Sequence, residues 1–344
     1  MSKPILVIKF GTASITKKNG EINEPTVLEI ARQVAVLHDA YNIVLVSSGA
    51  VGAGKHFINN YKGEIAERKA AAAIGNPLLL GIYGKFFSAF GIPIAQSLCE
   101  RQHFANRGQF LQLKQTYQEL WRNGVIPIAN ENDVVSNLEL KFSDNDELAT
   151  LIAVGFGAEA LLFSTSVGGL LDAQGQIIPV VERVDAQTMA FADDSKSATG
   201  LGGMVSKLTF TRLATQMGIK VVIFGMTTPE GIIKAVRQQT GTVFYPQEVN
   251  HSARQKWLAS GSLVTARLLV DAGASKALLA RKSLLAVGVV GIEGHFDEGE
   301  VVELLDNEGN ALAVARVKYS SQQVATNLKT QNFEIANADD IVLI

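Results

Sequence analysis

Cysteine is almost absent from this chain: Cys99 is the single one in 344 residues. One thiol excludes an internal disulfide and fits a reducing compartment, so a cytoplasmic location is expected. A charge excess is missing too. The 31 Lys and Arg stand against 33 Asp and Glu, a formal net charge of −2, which leaves no overall field to draw nucleic acid or a membrane surface. No apolar run reaches the roughly 18 residues that span a bilayer. Met1 to Pro4 lead straight into an apolar segment, so no leader peptide is expected. The five histidines, at 38, 56, 103, 251 and 295, are too scattered for ligand spacing, and no protein-held metal site is expected. Aromatics are only 7%.

What is there instead is aliphatic. Hydrophobic residues reach 47%, mostly Ala, Val, Ile and Leu, as buried parallel strands require. The length suggests about two domains. From 4 to about 238, short apolar runs (4–11, 43–46, 92–97, 125–129, 159–165, 219–225) alternate with helical patterns (24–41, 62–74, 77–90, 108–123, 147–158, 202–218, 228–238). That alternation predicts a mostly parallel sheet sandwiched by helices, residues 1–245. Residues 246–262 are polar and broken, a linker. From 263 to 344 the runs shorten and glycine turns multiply, predicting a small β-rich domain with one helix at 273–281. Its seven Lys and Arg against eleven Asp and Glu give −4.

Five polar stretches sit at strand ends or helix starts. Lys9 closes the first strand and is followed by Gly11. A lysine beside a glycine turn can meet a phosphate, or it can simply edge a surface turn. Gly49 to Lys55 fits the first seven places of the phosphate-loop pattern, but His56 stands where that loop needs Ser or Thr for Mg²⁺. Ser47, Ser48, Gly49 and Ala50 can still approach a small carboxylate, or merely make a tight connection. "NENDVV" (130–135) places Asn130, Glu131, Asn132 and Asp133 at a strand end, where an acid can bind an ammonium and amides either side of an amino acid. "SDNDELA" (143–149) opens a helix: Asp144 reads as its cap, while Asn145 and Asp146 lean to function. In "GLGGMVSK" (200–207) glycines open a helix and Lys207 lies one turn in, able to reach back to a phosphate or to sit solvated on the surface. Two lysines on separate glycine-rich turns, with acids and amides nearby, make a set suited to phosphoryl transfer, where offsetting charge is the main task.

"VIKFGTASIT", "VSSGAVGAG", "IPIANENDVV", "FSDNDELA" and "GLGGMVSK", in this order, resemble the glutamate 5-kinases of the amino-acid kinase family. The tail from Leu263 is similar to the PUA domain many of them carry. The resemblance covers nearly the whole chain. It implies an ATP-dependent transferase making glutamyl 5-phosphate, the first step of proline biosynthesis, with Mg²⁺ arriving on ATP. It also implies a homo-oligomer and proline as a feedback inhibitor. Lys9, Lys207 and Asp146 would be catalytic, Asp146 holding the lysines. Ser48, Gly49, Ala50, Asn132, Asp133 and Asn145 would bind glutamate. Lys9, Gly11, Thr165, Ser166, Leu201, Gly202, Gly203, Met204 and Lys207 would bind the nucleotide. The chain departs from the pattern at Ser166 (Asp in the family), Leu201 (Thr) and Ala13 (Ser), and its end is shorter than the usual PUA domain. The first two bear on ATP affinity or donor choice.

Three rival readings remain. A kinase for another small acid shares the general motifs. A degenerate kinase would bind glutamate without turnover. RNA binding through the PUA-like domain is opposed by its −4 charge, since backbone phosphates are met by Lys and Arg.

Overall fold

The structure, a computed structural model, describes residues 3–17, 19–135, 144–193, 203–247 and 266–343. Contacts divide the chain into two units: Met1–Glu100 with Leu113–Glu248, and Arg101–Gln112 with Val249–Ile344.

The first unit starts with β1 (Ile5–Phe10), α1 (Thr12–Ile15), α2 (Glu24–Leu37), β2 (Asn42–Ser47), α3 (Ala50–Gly54), α4 (Ile65–Ser88) and β3 (Ile94–Cys99). α5 (Gln102–Ala105) and the start of α6 (Arg107–Arg122) fall in the second unit. β4 (Ile126–Glu131), α7 (Asn145–Phe156), β5 (Ala160–Thr165), β6 (Val180–Val181) and α8 (Ala186–Asp193) follow. α9 (Met204–Gln216), β7 (Lys220–Gly225), α10 (Gly231–Val236) and β8 (Thr242–Phe244) complete it. Eight strands make one sheet in the order β3-β4-β2-β1-β5-β7-β8-β6. Six run parallel, and only β8, with β6 beside it, opposes them.

The helices expected at 62–74 and 77–90 are one helix, α4, with Pro77 inside it. A proline there loses an N–H and crowds the carbonyl four residues back. The buried face outweighs that: Ala71, Ala72, Gly75, Asn76, Leu79, Tyr83 and Phe87 lie on one continuous stripe. A capping box, Glu64 with Glu67, starts it. By length and composition α4 is also apolar enough to cross a bilayer, a property shared by core helices.

Alternation decides which face each strand residue serves. Leu6, Ile8 and Phe10 of β1 join a core with Val27 and Ile30 of α2 and Leu79 and Tyr83 of α4. Lys9 has the opposite parity and meets α7 on the other face. The chain leaves β1 for β2 on one side, while β5 lies on its other side. Such a switch point, at the carboxyl ends of parallel strands, is where open α/β sheets bind ligands. Lys9 stands there, in register with Val46 and Phe163.

The second unit contains β9 (Arg267–Val270), α11 (Ala272–Leu279), β10 (Leu284–Leu285), β11 (Val289–Glu293), β12 (Val301–Leu305) and β13 (Ala311–Arg316). α12 (Ser321–Thr326), β14 (Glu334–Ala336) and β15 (Ile341–Leu343) follow. Its sheets are β11-β9-β12-β13-β15 and β10-β14. The single helix expected here is joined by a second, α12. Its apolar pattern is weak, but a Ser320–Gln323 capping box marks its start.

Candidate active site

Asp146 is the centre of the site. It is fully buried on the first turn of α7, and both lysines reach it: Lys9 Nζ lies 2.5 Å from Oδ1 and Lys207 Nζ 3.0 Å from Oδ2. Lys207 donates a hydrogen bond to Oδ2, and Lys9 pairs with Oδ1. Lys9 is 4% and Lys207 7% exposed. Burial alone would push the Asp146 carboxyl up. The ammoniums of Lys9 and Lys207 overcome that and hold it below the ordinary aspartate range. One ionised carboxylate thus fixes two cations that lie 198 residues apart in sequence.

Asp144 builds the frame around it. It is the N-cap of α7, accepting from the backbone N–H groups of Asp146 and Glu147 at 2.8 and 3.2 Å. Its Oδ2 accepts from Ser206 Oγ at 2.6 Å, tying α7 to α9, the helix that carries Lys207. Gly203, the N-cap of α9, offers no side-chain cap, and a Cβ there would meet nothing within 4 Å. Among the described residues no side chain caps the first N–H groups of α9, and a helix start of this kind suits an anion.

A second polar group lies at the ends of β2 and β4. Asn145 Nδ2 donates to Ser48 Oγ and to Asn130 Oδ1, both at 2.9 Å, and its Oδ1 accepts from the Glu131 N–H at 3.3 Å. Between Ser48 and Ala50, Gly49 has φ 107°, a left-handed value that glycine adopts without strain. α3 then packs on α4 so closely that a Cβ on Gly54 would fall 1.9 Å from the Ala71 carbonyl oxygen, and one on Gly75 1.7 Å from that of Ala50. Asn132 donates to Glu100 Oε1 at 2.9 Å and its backbone bonds Cys99. Asp133 is half-buried in the turn that follows β4.

The structure thus brings Lys9, Lys207 and Asp146 together, and Ser48 with Asn145. Thr165 ends β5 and Ser166 follows it, exposed. Neighbouring Ser164 donates to Ser14, in α1, at 3.0 Å. Gly11 lies near Lys9, a Cβ there being 3.6 Å from its Nζ. Met204 opens α9. Leu201 and Gly202 lie outside the described residues. Asn130 is a contact that the sequence reading did not assign. Its signal was parity: it continues the core face of Ile126 and Ile128, where a polar residue needs a buried partner.

The profile of the amino acid kinase family matches residues 4–225, and that of the PUA domain residues 266–332. The Haemophilus influenzae glutamate 5-kinase is 34% identical, covering 98% of this chain and 95% of its own length. The Synechococcus elongatus glutamate 5-kinase is 37% identical, covering 98% and 94%. Among solved structures, the carbamate kinase from Giardia lamblia bound to AMP-PNP shares the fold, with TM-score 0.52, 18% identity, and coverage of 72% of this chain and 99% of that one. The chain belongs to the amino acid kinase family, and within it to the glutamate 5-kinases.

Proposed function

We propose that this chain transfers the γ-phosphoryl group of ATP to the side-chain carboxylate of L-glutamate, giving glutamyl 5-phosphate and ADP. The carrying observation is the shared carboxylate of Asp146, which holds the ammonium groups of Lys9 and Lys207 together. A carboxylate oxygen of glutamate attacks the γ-phosphorus. The bond from that phosphorus to the bridging oxygen breaks, and ADP departs with the electron pair. The acceptor's ordinary pKa is about 4.3, so it is ionised at neutral pH and no general base is required. The obstacle is the approach of two anions. Cations held in place before the reaction lower that barrier without reorganising during it.

Ser48, Asn145 and Asp133, with the Gly49–Ala50 backbone, hold the glutamate; Asn132 supports the same turn. Lys9, Gly11, Thr165, Ser166 and the α9 start, Gly203 and Met204, face the nucleotide, with Leu201 and Gly202 preceding them in sequence. Mg²⁺ enters as part of the ATP complex and neutralises phosphate charge. The same reading places the enzyme in the cytoplasm as a homo-oligomer, at the head of proline synthesis, with proline as a feedback ligand and residues 1–245 and 263–344 as its two domains.

The test is ADP release with Mg²⁺-ATP and a panel of small acids: glutamate, aspartate, acetylglutamate and carbamate. Turnover with glutamate, inhibited by added proline, is expected. Turnover confined to another acid, or binding of glutamate with no ADP release, would replace this reading with a sister kinase or an inactive regulator.

A further inference from the structure

Behind Asn145 runs a buried chain of amides whose orientation is fixed by one backbone group. The Glu131 N–H donates to Asn130 Oδ1 at 2.9 Å and to Asn145 Oδ1 at 3.3 Å. A backbone N–H can only donate, so both facing atoms are oxygens. Asn130 must then turn its Nδ2 the other way, where it donates to Asn76 Oδ1 at 3.1 Å. Asn145 must likewise turn its Nδ2 toward Ser48 Oγ. That hydroxyl accepts from Asn145, so its own proton is left for another acceptor. Every amide flip in the series is decided without reference to a hydrogen position.

Asn76 terminates this series and belongs to no motif read from the sequence. It is 6% exposed, on α4. Its Nδ2 has no protein partner among the described residues. A cavity of about 10 Å³, lined by Ser47, Tyr83, Gln96 and Ile128, adjoins it, close to the size of one water. Burying an amide costs more than burying an apolar residue at this place among leucines. Its remaining use is the acceptor it presents to Asn130.

We propose that Asn76 is a positioning residue for the acceptor site: the Glu131 N–H sets which way Asn130 and Asn145 face, Asn76 holds the Asn130 amide in place from its far side, and Asn130 in turn steadies Asn145, so that Ser48 is left to donate to the substrate carboxylate. The proposal rests on the reading of Ser48 and Asn145 as glutamate contacts. It assigns α4 a role in substrate affinity although no atom of Asn76 touches substrate.

The test is a double-mutant cycle on the full-length enzyme, reading KM for glutamate, KM for ATP and kcat. Asn76→Leu removes the acceptor at similar volume. It is expected to raise the glutamate KM about five- to tenfold, the scale of one lost buried hydrogen bond, with kcat and the ATP KM within about twofold of the parent. Asn76→Gln keeps the amide, its extra methylene taken by the adjoining cavity, and is expected to restore most of the affinity. In an Asn145→Ala background, Asn76→Leu is expected to add nothing. An Asn145→Ala effect on glutamate KM with a silent Asn76→Leu overturns this proposal alone. Equal additive effects, or a kcat and melting loss with unchanged glutamate KM, overturn it as well. A silent Asn145→Ala overturns the reading of the site and this inference with it. Asn76→Ala is read in the same cycle where the leucine variant does not fold.

Discussion

On the proposed reading, Asp146 carries a structural and a chemical task in one carboxylate. Removing its charge leaves two ammoniums buried against a neutral amide, and breaking a buried pair in this way costs about 3–5 kcal/mol. Asp146→Asn is therefore expected to lower the unfolding free energy by about that amount in urea titration, and to lower kcat as well. The pH dependence has a definite sign. Burial raises this carboxyl and the two lysines more than reverse it, so its folded pKa lies below the unfolded value. Between the two, the unfolded chain binds more protons and stability rises with pH. The contribution is complete above the unfolded value of about 3.9 and is lost as pH falls through the folded one. Melting temperatures measured across that range are expected to fall less steeply for Asp146→Asn than for the parent. The lysines and Asp146 were legible because each sits beside a strand end or a helix start, and local pattern marks those places. Asn76 was not: its contact with Asn130 spans 54 residues, and nothing local distinguishes it from an ordinary helix amide.

α4 supports the acceptor loop at three points along one face. Gly75 lets the Ala50 carbonyl approach, Asn76 holds Asn130, and Tyr83 meets Ser47 Oγ at 3.0 Å. Ser47 donates onward to the Ser48 carbonyl at 3.1 Å, so Tyr83 must be the donor in its pair. Burial pushes the Tyr83 phenol up to about 12, which keeps that proton in place. A methyl on Gly75 has backbone in its way rather than a flexible side chain, so α3 must move. Gly75→Ala is expected to cost about 1–3 kcal/mol of stability and to raise the glutamate KM more than the ATP KM, measured by melts and initial rates. Reading α4 as two helices hid this role. The buried stripe shared by the residues on either side of Pro77 shows only once the element is continuous.

At the scale of the molecule, the alternating pattern was enough to give the layered α/β unit, because strands buried on both faces leave unbroken aliphatic runs between helical patterns. The edge pair β6 and β8 escaped notice, being two and three residues long. The acidic C-terminal unit carries its own expectation. With −4 over residues 263–344, a salt-dependent RNA shift assay should give no shift even at low salt, since affinity for the phosphate backbone grows with the number of Lys and Arg contacts. A shift that weakens steeply with salt would mean a clustered basic face.

The proposed convergence of Lys9 and Lys207 on one migrating phosphoryl group is tested most directly by glutamate-dependent ADP release from the parent and from Lys207→Ala, at saturating Mg²⁺-ATP. Loss of one preorganised cation is expected to lower kcat about 10²- to 10³-fold while the glutamate KM changes little. Parental kcat in Lys207→Ala would contradict the central claim.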